Sequence, residues 1–99
     1  MVTKEEARKY LRDTSPEQCF WVNNGPILKS IEDLANYAPE MPNETFKYHV
    51  NSEKNDFSSW IKEAIGDRKL ADELLSSKSR DSAVKKMRNR LNSLKKKAS

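Results

Sequence analysis

The chain is poor in the residues that carry most protein chemistry. Its 99 residues include one cysteine, one histidine and two glycines. A single cysteine closes no internal disulfide. With one histidine beside it, a zinc site would need carboxylates in an unusual set, so neither a metal nor a cofactor is expected. Gly25 and Gly66 stand far apart, which excludes a glycine-rich phosphate loop. Apolar runs are also missing, and none approaches the roughly 18–20 residues of a membrane span. Met1-Val2-Thr3-Lys4-Glu5-Glu6 lacks the apolar stretch of a signal peptide. The expected location is therefore a reducing cytoplasm, with Cys19 as a small buried hydrophobe beside Phe20 and Trp21.

Hydrophobic residues are scarce as well, at 35% against a usual share of about 45–50%. This composition supports one thin core, which excludes a large enzyme fold, a barrel or a second domain. Two tryptophans, three tyrosines and three phenylalanines must supply much of it.

What the chain has is an uneven distribution of charge. The formal net charge is +4. Residues 78–99 hold nine basic side chains against only Asp81, a surplus of eight. The remainder holds ten basic and fourteen acidic residues, a deficit of four. A mildly acidic body (residues 1–77) thus precedes a strongly basic C-terminal arm, either part of the same domain or appended to it. This asymmetry points to an anionic partner.

Periodicity predicts a mainly α fold, a compact bundle of five to six short helices with a small N-terminal β-hairpin. Thr3 and Glu6 form a capping box, with Ala7, Tyr10 and Leu11 on one face and a stop near Asp13. Cys19-Phe20-Trp21-Val22 and Ile27-Leu28 flank the turn Asn23-Asn24-Gly25-Pro26, which predicts a hairpin near residues 19–28. Ser30 caps a helix ended by Pro39, and Asn43 caps another running to Val50. Asn55 or Asp56 caps a third, with Phe57, Trp60, Ile61, Ala64 and Ile65 as its apolar stripe and Gly66 as its stop. Asp67 begins the next, with Leu70, Ala71, Leu74 and Leu75. From Arg80 to Lys97, residues Ala83, Val84, Met87, Leu91 and Leu94 share one arc of about 100°. Cations flank that arc on both sides.

Glu44-Thr45-Phe46-Lys47-Tyr48-His49, then Asn55-Asp56-Phe57-Ser58-Ser59-Trp60, then Gly66-Asp67 with Leu70-Ala71, carry a resemblance. Together they resemble a functionally uncharacterised family of small archaeal and bacterial domains whose members carry ETF-x-x-H, NDF-x-x-W and GD-x-x-LA in that order. The likeness spans Phe20 to Leu75. It implies a shared fold for the body and brings no activity with it.

Two groups of residues are candidates for function. His49, Asn55 and Asp56 form the one polar constellation. A histidine–carboxylate pair suits general-base work, but Asn55 and Asp56 are also good helix caps, and the structural role is the stronger expectation. The second group is the basic arm. Lys85, Lys86, Arg88, Arg90, Lys95, Lys96 and Lys97 are arrayed as phosphate-neutralising contacts are, with Asn89 and Asn92 among them to reach bases or simply face water. Trp21, Phe46, Phe57 and Trp60 have the spacing of core residues rather than base-stacking platforms, and Tyr48 has that of a surface aromatic. The favoured function is a small non-enzymatic nucleic-acid-binding or nucleoid-associated protein, its partner DNA or RNA. The alternative is a protein-interaction or regulatory module using the arm or the His49–Asp56 region. An enzyme ranks third. The oligomeric state is open, with the Leu91–Leu94 stripe as a route to a dimer.

Overall fold

A computed structural model describes residues 2–99. It is mainly helical, with one two-stranded antiparallel hairpin. The elements in order are α1 (Lys4–Leu11), β1 (Phe20–Trp21), β2 (Ile27–Leu28), α2 (Ile31–Tyr37), α3 (Asn43–His49), α4 (Asp56–Trp60), α5 (Arg68–Leu75) and α6 (Arg80–Ala98). Single 3₁₀ turns follow α1 at Pro16–Gln18 and α2 at Ala38–Glu40.

Local chemistry accounts for most boundaries. Thr3 and Glu6 complete the reciprocal capping box of α1. Ser30, Asn55, Asp67 and Ser79 each accept a backbone N–H in the first turn of the helix they precede. Asn43 differs from expectation. It is the first residue of α3, and Pro42 holds the cap position without a side-chain bond. After α4 the chain widens into a π-helical turn, Ile61–Ile65, that Gly66 closes in the left-handed region at φ 91°.

The hairpin pairs Phe20 with Leu28 and Trp21 with Ile27. Successive side chains of a strand face opposite ways. Phe20 and Leu28 therefore enter the core, while Trp21 is 72% exposed and Ile27 faces solvent beside it. This corrects the expectation that Trp21 is a core residue. Cys19 is only half-buried, with its thiol against the Ser15 carbonyl at 3.5 Å.

The core runs from the hairpin through every helix. Phe20, Phe46, Phe57 and Trp60 supply its aromatic part. Val50 is half-buried and bridges to Asn55. Helix α6 is no appendage. It packs along α1, α2 and α5 and buries Ala83, Met87, Leu91 and Leu94. Side chains fasten both of its ends: Arg80 donates to the Met41 carbonyl at 2.7 Å, and Arg8 to that of Ala98 at 3.3 Å. Leu91 and Leu94 are therefore consumed within the chain and leave no stripe for a dimer.

Candidate nucleic-acid interface

The strand and loop before α2, and the loop between α3 and α4, converge on His49. The ring is 4% exposed and packs against Phe20 and Phe57, with centroids 4.9 and 5.2 Å away. The Asn23 backbone N–H donates to Nε2 at 3.0 Å. A backbone N–H only donates, so Nε2 is the acceptor and the ring proton sits on Nδ1. Nδ1 in turn donates to Asp56 Oδ2 at 2.9 Å, where Lys54 Nζ donates at the same distance. Both ring nitrogens are thus occupied by the protein's own groups. Asn55 is equally committed, accepting from the Ser58 N–H and donating to the Leu74 carbonyl, each at 3.0 Å. These three residues tie the hairpin turn, α3, α4 and the end of α5 together. Among the described residues no group of three or more His, Cys, Asp or Glu side chains lies close enough to hold a metal ion.

Partial burial pushes the Asp56 carboxyl up, but the hydrogen bonds from Lys54 and His49 outweigh it and leave the group below its ordinary value. A carboxylate held low in the folded state stabilises above its unfolded pKa, and that stabilisation is lost as pH falls through the folded value. Asp56→Asn will therefore lower stability near neutrality. The gap between variant and parent will close as pH drops below about 4, as urea unfolding at pH 7, 5 and 3 will check. A gap independent of pH would mean that the carboxylate charge contributes nothing.

The basic arm is α6, and its tertiary packing sorts the seven candidate cations. Lys85, Arg88, Lys96 and Lys97 are exposed and Lys86 is half-buried; among the described residues, none has an acidic partner within ion-pair distance. Lys86 Nζ lies 3.5 Å from the Ser77 hydroxyl. Lys95 is exposed but paired with Glu32 of α2 at 2.6 Å. Asn89 and Asn92 share the exposed face.

Arg90 does not belong to the solvent-facing set. It is 8% exposed and grips Asp67, itself 1% exposed, through two parallel bonds: Nε to Oδ2 at 2.8 Å and Nη2 to Oδ1 at 2.9 Å. Asp67 Oδ1 also accepts the Leu70 N–H that opens α5. A wheel position explains the misplacement. Arg90 stands seven residues after buried Ala83, a displacement of only about 20° around the helix. It therefore lies nearer the buried arc than Lys86 or Lys97. The heptad offset was visible beforehand, but the carboxylate waiting across the interface was not.

Comparison with protein-family models, with curated proteins and with solved structures returns no match. No helix among the described residues is long and apolar enough to cross a membrane.

Proposed function

We propose that the chain is a small non-enzymatic nucleic-acid-binding protein that contacts backbone phosphates through the outer face of α6. One observation carries this reading: a long helix, anchored by its inner face, presents five cations, Lys85, Lys86, Arg88, Lys96 and Lys97, that no acidic side chain among the described residues neutralises. From Lys85 to Lys96 the row extends about 16 Å at 1.5 Å per residue, which matches roughly five phosphates along one strand at about 3.4 Å each. Lys85, Lys86, Arg88, Lys96 and Lys97 are the phosphate contacts. Asn89 and Asn92 lie between them, positioned for base edges. Lys95 joins only if its bond to Glu32 opens, and Arg90 positions the helix from beneath.

Titration of the full chain with double-stranded DNA, single-stranded DNA and RNA tests this and separates the partners. With about five phosphates neutralised, affinity will fall roughly five-hundredfold between about 50 and 200 mM salt. The triple variant Lys85→Glu, Arg88→Glu, Lys96→Glu will abolish binding without unfolding the chain, because all three side chains are exposed. Affinity indifferent to salt or to charge reversal would sink the proposal. A protein-interaction module is the second reading, and the solvent-facing Trp21–Ile27 pair on the hairpin favours it. Absence of binding to all three nucleic acids would bring it forward.

A further inference from the structure

Beside the exposed row, α1, α5 and the C-terminal half of α6 enclose an open cleft of about 520 Å³, within the range of small-ligand sites. Arg90, Ser93, Lys96 and Lys97 reach it from α6, Lys69 from α5 and Glu6 from α1. Residues 90, 93 and 97 are three and four apart, so they form one flank of the helix.

The floor of this cleft is unusual. Arg90 is more than nine-tenths buried, yet only its Nε and Nη2 are bonded to Asp67. Its Nη1 has no hydrogen-bond partner among the described residues, and Arg90 lines the cleft. Asp67 is buried, already accepts three bonds from Arg90 and the Leu70 N–H, and forms no ion pair with the lysines. Glu6 is held by the Thr3 N–H and forms no ion pair with Lys69, Lys96 or Lys97. Four cations therefore face two carboxylates, an excess of two positive charges around a hydroxyl and an unfilled guanidinium edge.

We propose that this cleft binds a phosphate monoester group, with Arg90 Nη1, the Ser93 hydroxyl and the ammonium groups of Lys69, Lys96 and Lys97 as its donors. A phosphate monoester carries about −1.5 to −2 charge at neutral pH and three strong acceptor oxygens, which matches both the excess charge and the convergent donors. A carboxylate would satisfy half of that charge. The inference rests on the cleft and Arg90, and it stands whether or not the outer row of α6 binds a nucleic-acid backbone.

Inorganic phosphate titrated into the full chain at constant ionic strength, and followed by amide chemical shifts, tests it without any nucleic acid present. Saturable shifts are expected around Lys69, Ser93 and Lys97. Lys69→Glu and Ser93→Glu will each weaken binding about tenfold or more by placing a carboxylate in the cleft. Lys62→Glu, an exposed charge reversal outside the cleft, will leave it unchanged. Amide dispersion reports whether each variant is folded, and Lys97→Glu replaces either one that is not. Adenosine 5′-monophosphate against adenosine, and short oligonucleotides with and without a 5′-phosphate, separate the two sources of the group. A gain with the mononucleotide assigns a free metabolite, and a gain only with the phosphorylated oligonucleotide assigns a chain end. Absence of saturable shifts in the folded protein, or shifts that survive both cleft variants undiminished, overturns the proposal.

Discussion

Asp67→Ala will destabilise the fold by about 3–5 kcal/mol, the largest effect expected from a single side chain here. The cost has two sources. Arg90 is left as a buried cation with no counter-charge, and α5 loses the cap that Asp67 supplies to the Leu70 N–H. For a domain of this size, 1 kcal/mol moves the melting temperature by about 4–8 °C, so a fall of more than about 12 °C is expected. The pair itself need not be a large net stabiliser, because desolvating two charges offsets much of their attraction. The double variant Asp67→Asn, Arg90→Met separates these contributions. Asn still caps α5, and Met replaces the aliphatic stem of Arg90 without its charge. This double variant will be more stable than Asp67→Ala or Arg90→Met alone. Should all three lose the same stability in thermal or urea unfolding, an unpaired buried charge is not the cause.

Removal of residues 78–99 will abolish cooperative unfolding altogether. Met87, Leu91 and Leu94 are buried between α6 and the rest of the chain. Truncating one such side chain costs about 2–5 kcal/mol, and a small domain has only about 5–15 kcal/mol in total. Loss of all three, together with the Arg90 partner of Asp67, exceeds that reserve. The truncated chain will show a broad, shallow thermal transition and collapsed amide dispersion. A sharp transition near that of the parent would show that the body folds by itself and that α6 is a docked accessory. For the same reason, loss of nucleic-acid binding on truncation says nothing about phosphate contacts. Point charge reversals on the exposed face are the informative variants.

Much of the architecture was legible because local rules acted alone. The capping box at Thr3 and Glu6, the caps at Ser30 and Asn55, and the left-handed stop at Gly66 each depend on a few neighbouring residues. The apolar stripe of α6 followed from helical spacing. His49, Asn55 and Asp56 were recognisable as a cluster by their nearness along the chain. Their roles were not, because the Asn23 N–H that occupies Nε2 comes from a turn 26 residues away. Three residues in this part of the chain make such ties: His49 to the hairpin turn, Asn55 to α5 and Asp67 to α6.

Trp21 and Arg90 mark the limit of local reasoning, in opposite directions. Side-chain chemistry puts a tryptophan inside and an arginine outside. Hairpin register committed Phe20 and Leu28 to the inner face and so turned Trp21 outward. The rotation of α6 against α5 carried Arg90 inward to a carboxylate already fixed as a helix cap. The sequence by itself determined the mainly helical class, the hairpin, the caps at Thr3, Ser30 and Asp67 and the concentration of positive charge after Ser77, since each depends on composition or on spacing within one or two turns. Only the tertiary structure decided which cations face solvent, which one is buried, and that Lys69 and Glu6 join α6 around one cleft. Those outcomes depend on how helices distant in sequence rotate and pack, and no periodicity within a single segment specifies that rotation.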